Sequence, residues 1–266
     1  MLPCLQEGPL FRPGPRALFL LALAAMLTAR PALAGPLTNL SPEQLCPLAT
    51  QFEPLPPPPG ASPLRPSPAP DPLGRDYRHR LQATAHGWPT RAHWCIWIEP
   101  LSQQAAAGRW EQAWLESLQR ALASWGELVA FSVVQDPDRA QLQILRRRPP
   151  LRGGRASHGR AELSLVRVQR QGSSWQQEPR VQLSLSPGQR PAAMQATALH
   201  ELGHAFGLWG HSDEPGDAMA AVPGAVPVLE LSARDRATLR WLQRQPGLNP
   251  PAASQQGRPE PFRTES

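Results

Sequence analysis

Apolar residues recur along the middle of the chain at two different periods. Trp110, Trp114, Leu118, Leu122 and Trp125 return every three or four residues, the spacing that lines one face of an α-helix. A helix is predicted there, closed at Gly126, with its tryptophans turned to the core. Upstream, His93-Trp94-Cys95-Ile96-Trp97-Ile98 is dense in aromatic and branched residues and is bounded by Pro100, which reads as a strand. Phe131–Val134 and Ala140–Leu145 read as two more, the second alternating with period two. Glu162–Val168 and Arg180–Leu185 complete the set, joined by a polar loop around Gly172. Pro191 suits the first turn of a further helix, whose first N–H groups have no intrahelical partner. Ser232 caps a last helix running through Asp235, Leu239 and Leu242.

These periodic segments fall between 86 and 245, enough chain for one domain with its own core. The flanks differ in kind. Between Pro54 and Pro72 there are ten prolines in nineteen residues, which favours extended polyproline geometry and cannot donate a regular hydrogen-bond ladder. Residues 35–85 are therefore expected to be a Pro-rich disordered arm or pro-segment, and 246–266 a disordered tail. At the start, Arg12 and Arg16 precede an apolar run from Ala17 to Leu27, and Ala32-Leu33-Ala34 has the form of a signal-peptidase site. That run falls short of the roughly 18 apolar residues a membrane span needs. Residues 1–34 thus read as a secretory signal, no transmembrane segment remains after its removal, and the expected location is secreted, periplasmic or extracellular. Cys4 would leave with the signal. In an oxidising compartment Cys46 and Cys95 can pair as a disulfide, or remain as two thiols.

The densest chemistry lies in His200-Glu201-Leu202-Gly203-His204-Ala205-Phe206-Gly207-Leu208-Trp209-Gly210-His211. The first five residues spell H-E-x-x-H. On a helix, positions i and i+4 share a face, so His200 and His204 can reach one metal ion. Glu201 stands beside them, placed to contact a water on that ion. Imidazole suits zinc, and a catalytic zinc keeps three protein ligands with one position open. Gly207 then offers the backbone freedom a helix needs in order to stop and turn, and His211 follows across the turn. Met219 appears shortly after, in Asp217-Ala218-Met219-Ala220.

Together these residues resemble the metzincin zinc metalloproteases, whose signature is H-E-x-x-H-x-x-G-x-x-H followed by a Met-turn. The run Ala196–Leu208, Ser212 after the last His, and Leu231–Arg240 are similar to the matrixin branch. The spacing departs by one: three residues, Leu208, Trp209 and Gly210, separate Gly207 from His211. One reading is an insertion absorbed at Gly210, with His211 as third ligand. The other makes Asp213 the third ligand. The resemblance implies an α+β fold: a twisted, mostly parallel sheet with an edge strand, an active-site helix below it and a small C-terminal helical subdomain. It implies that the edge strand, about Ala156–Leu165 here, pairs with an extended substrate. It also implies that Met219 floors the metal site, with Asp217 as the residue to hold the turn by bonds to backbone. A third reading of Cys46 follows from matrixin propeptides, which can block zinc with a cysteine, although Gln44-Leu45-Cys46-Pro47 does not match their motif. The Tyr that follows the Met-turn in some metzincins is Ala220 here.

Charge adds little. The formal net charge is +6 with 27 basic residues, all arginine. Nine of them fall between Arg139 and Arg170, a basic stretch without any nucleic-acid motif, so no nucleic-acid partner is expected. His79, His86, His93 and His158 lack ligand spacing, and no acidic calcium loop stands out, so one Zn2+ is the cofactor expected and calcium is unsupported. The resemblance implies a monomeric, secreted zinc endopeptidase acting on peptide or protein substrates. His200, His204 and His211 would hold the metal, with Glu201 as general base. The alternatives are a non-catalytic zinc-binding envelope or adhesion protein on the same scaffold, and a metal-dependent hydrolase of cell-wall amides.

Overall fold

The computed structural model describes residues 40–249, apart from 61, 63, 65, 66, 103–107, 152, 154, 155 and 223. The expected signal segment and the tail beyond 249 lie outside the described residues. In chain order the elements are α1 (Pro42–Leu45), β1 (Gln51–Pro54), β2 (Trp94–Ile98), α2 (Gly108–Gly126), β3 (Phe131–Val134), β4 (Leu142–Leu145), β5 (Gly159–Gln169), β6 (Gln176–Leu185), α3 (Pro191–Ala205) and α4 (Ala233–Leu242). The six strands form one sheet in the order β1-β5-β6-β4-β2-β3. β2 runs parallel to both β3 and β4, and β4 parallel to β6. β5 is antiparallel to β6, and β1 antiparallel to β5. The fold is α+β with a mixed sheet.

α3 packs on α2 and against β5 and β6. Trp125 of α2 joins the two helices by donating its indole N–H to the Leu199 carbonyl at 2.9 Å. Its ring and that of Trp94 meet Phe206 edge-on, at centroid distances of 6.0 and 5.8 Å. Such pairs add to the stabilisation from burying the rings themselves. Trp114 and Trp125 face the core as the helical spacing predicts, but Trp110 is 66% exposed, so the stripe begins one turn later. β6 is also held by a buried ion cluster. Glu178 is wholly buried and meets Arg91 at 2.7 Å, Arg170 at 3.0 Å and Arg180 at 3.5 Å.

Two differences from the sequence expectations concern the ends of the domain. The folded unit begins well before His86: Tyr77 and Leu81 are fully buried in the main core, and the stretch thought to be an arm supplies α1 and β1. As expected of an oxidising compartment, Cys46 and Cys95 form a disulfide with a Cα–Cα distance of 5.8 Å, which removes Cys46 as a latency thiolate. At the other end, the chain from Pro246 does not fray at once. Leu248 is buried, and Asn249 exchanges two side-chain hydrogen bonds with the Gln177 backbone, at 2.8 and 2.7 Å. The expected edge strand, about Ala156–Leu165, overlaps the first half of β5, which has no second partner strand among the described residues; β1 pairs with Val166–Gln169.

The basic stretch is largely absorbed by the fold. Arg139 donates to the Cys46 carbonyl, Arg147 to Gln182 and Arg160 to the Pro150 carbonyl. Arg146 pairs with Glu111, Arg167 with Glu53 and Arg170 with Glu178. Among the described residues no helix is long and apolar enough to cross a membrane.

Candidate metal centre

α3 carries His200, Glu201 and His204, and its sequence ends it at a defined place. Pro191 occupies the first turn. At the other end Gly207 takes φ +110°, Gly207 N–H donates to His204 C=O at 2.9 Å, and Leu208 N–H donates to Gly203 C=O at 2.9 Å. These are the paired bonds of a Schellman cap, which only a residue tolerant of positive φ allows. The chain thereby reverses and brings His211 back towards the helix. Gly210 serves this return by close approach. A Cβ there would lie 2.1 Å from the Arg80 carbonyl oxygen.

The three imidazoles converge. Ring centroids are 4.8 Å apart for His200 and His204, 5.2 Å for His200 and His211, and 4.9 Å for His204 and His211. One ligand nitrogen from each lies within 4.8 Å of the others. Asp213, the alternative third ligand, is turned elsewhere, accepting from Arg234 at 2.9 Å and facing Arg80 at 3.4 Å. Cys46, His93 and Cys95 also cluster, but the two sulfurs are joined to each other and His93 bonds to Ser132 at 3.0 Å.

Whether these residues suit a metal is decided by their outer nitrogens. His200 Nδ1 lies 2.9 Å from the Ala218 carbonyl and His204 Nδ1 lies 2.8 Å from the Leu208 carbonyl. A carbonyl oxygen only accepts, so each Nδ1 carries the hydrogen. Each Nε2 is then left with its lone pair for the centre, the arrangement metal-bound histidines use. Burial lowers the pKa of all three rings, that of His204 to about 3. They stay neutral, as ligands must. The donor set fits zinc.

Glu201 is the carboxyl beside this cluster. Its Oε2 accepts the Ala161 N–H of β5 at 2.8 Å. Burial pushes its pKa up to about 7, against the opposing pull of that N–H and of Arg160. Gly159 makes room for it, since a Cβ there would lie 2.6 Å from Glu201 Cγ. A carboxyl poised near neutrality can both take and return a proton.

Beneath the helix, Met219 is fully buried, with its sulfur against α3 where a Cβ on Gly203 would come within 2.2 Å. Its turn is held differently from the expectation. Asp217 accepts from the Ser212 hydroxyl and from Arg234, not from the turn's backbone. The backbone N–H groups of Ala218 and Met219 go to Asp235 of α4, at 2.8 and 3.4 Å, and Asp235 also accepts from the Tyr77 hydroxyl at 2.8 Å. A direct bond from Ser212 N–H to Met219 C=O at 2.7 Å ties this turn to the residue after His211. The Trp209 ring stacks on that of His204, with centroids 5.6 Å apart. Sequence reading placed Gly159 and Ala161 only within the expected edge strand and gave Asp235 and Trp209 no part in the site. Only Asp235 carried a signal, as third residue of the helix that Ser232 caps.

No protein-family model matches the chain, and no curated protein matches it. The functional reading therefore stands on the residues and geometry above.

Proposed function

We propose that the protein is an exported zinc-dependent endopeptidase. The observation that carries this reading is the convergence of three imidazoles beside the buried carboxyl of Glu201, which the Ala161 N–H holds in place. A purely structural site gains nothing from a base beside an open position. His200, His204 and His211 would hold the ion, with His200 and His204 oriented by the Ala218 and Leu208 carbonyls. When bound, zinc supplies a Lewis acid that polarises a carbonyl and makes water acidic. Glu201 takes a proton from the attacking water and returns it to the leaving amine. Among the described residues no strand pairs with the outer side of β5 before Leu165, so an extended peptide can add there as a strand.

The test is Glu201→Ala. That variant should bind zinc with wild-type stoichiometry and lose peptide cleavage by about 100-fold or more, the usual contribution of a positioned base. Zinc retained with undiminished cleavage would remove Glu201 from the mechanism.

A further inference from the structure

The chain preceding β2 touches both the edge of β5 and the turn that carries His211. β5 bonds to β6 through its even-numbered residues, as the bond from Ser186 N–H to His158 C=O at 2.7 Å shows. In an antiparallel pair the intervening residues then point their N–H and C=O the other way. On that side Leu55 N–H donates to Leu165 C=O at 2.9 Å and Thr50 N–H to Gln169 C=O at 2.8 Å, so the edge from Leu165 onward is occupied. From Gly159 to Ser164 no strand pairs on that side among the described residues. Ala161, in the middle of that stretch, donates its N–H to Glu201. The distance along the strand from Ala161 to the first occupied position is about 13 Å, at roughly 3.3 Å per residue.

The obstruction continues from the sheet to the ligand turn. The Pro56 carbonyl is 2.9 Å from His86 Nε2. Gln82 N–H donates to Trp209 C=O at 2.9 Å, and the Arg80 backbone presses on Gly210, the residue before His211. Chain entering β1 is anchored through Cys46 to Cys95 of β2. Two stretches, 51–56 and 80–86, thus touch each other while one lies on the edge strand and the other on the turn that carries the third imidazole.

We infer that these stretches close one end of the cleft, so that a peptide lying along Gly159–Ser164 extends only about four residues past the reacting bond at that end. At the Gly159 end no strand pairs with this side of β5 among the described residues. β1 already makes the backbone bonds that a longer substrate would need from Leu165 onward, and the two compete for the same groups. The substrate class is then polypeptides cut close to one terminus. This inference rests on the peptidase reading.

The experiment uses the purified zinc-loaded protein and a short peptide chosen from its cuts in an unbiased peptide mixture. Two ladders are built on that peptide, one lengthened at its N-terminus and one at its C-terminus. On one ladder kcat/KM should fall about tenfold or more once roughly four residues are exceeded beyond the bond. On the other it should hold within about twofold. Equal tolerance of long extensions on both ladders overturns the closed end and leaves the peptidase reading standing. If no peptide is cut at all, both fall together.

Discussion

An imidazole makes a dependable metal ligand when its second nitrogen is already committed. His200 and His204 meet that condition through the Ala218 and Leu208 carbonyls. The second of these carbonyls belongs to the residue just past Gly207, so the turn that ends α3 also orients the ligand on its last turn. His211 reaches the cluster from the far side of the same turn, at the exposed rim. Asp213 is neutralised by Arg234, whose guanidinium holds its carboxyl down at about 2. The two substitutions should therefore separate cleanly. His211→Ala should weaken zinc binding more than about 100-fold, beyond the loss typical of an outer-sphere partner, whereas Asp213→Ala should leave it nearly unchanged. Competition against a chromophoric chelator measures both, and the reverse ranking would make Asp213 the ligand.

At the level of elements, the site is a junction of α3, the Met219 turn, α4 and the edge of β5. Gly203 is where the fit is tightest, with the Met219 sulfur and Trp125 both filling the space a side chain would take. Gly203→Ala should cost about 2 kcal/mol, the usual penalty of overpacking, even though alanine is the better helix former. Thermal or denaturant unfolding checks this, and a stabilised variant would contradict the packing described. The helices α2 and α4, the end of α3 at Gly207 and the return to His211 were all legible in the sequence, because apolar spacing, caps and glycine act within a few residues. β1 was not. Its four residues are all exposed and do not alternate, and a proline-rich composition says nothing about a partner strand more than a hundred residues away. Asp235 shows the same limit: its capping role is local, while its bonds to the Met219 turn and Tyr77 depend on the fold.

For the molecule as a whole, the stretch before β2 is part of the domain. Tyr77 and Leu81 fill the core, Tyr77 reaches Asp235, and the disulfide joins Cys46 to β2. Losing a single large buried side chain costs about 2–5 kcal/mol, against a total stability of about 5–15 kcal/mol for a typical domain. A chain starting at His86 should therefore fail to fold cooperatively. Circular dichroism during heating would show this, and a sharp transition matching that of the longer chain would contradict it. Any natural processing compatible with this structure must also leave the segment from Cys46 onward attached.

The central claim is that three converging imidazoles and one buried carboxyl make a metal-dependent peptidase. It is tested most directly by incubating the purified protein with an unbiased peptide mixture, with and without a chelator, and reading the cleavage products by mass spectrometry. The account predicts new peptide termini that vanish with the chelator and return when zinc is restored. A zinc-loaded, folded protein that leaves the mixture intact would contradict it.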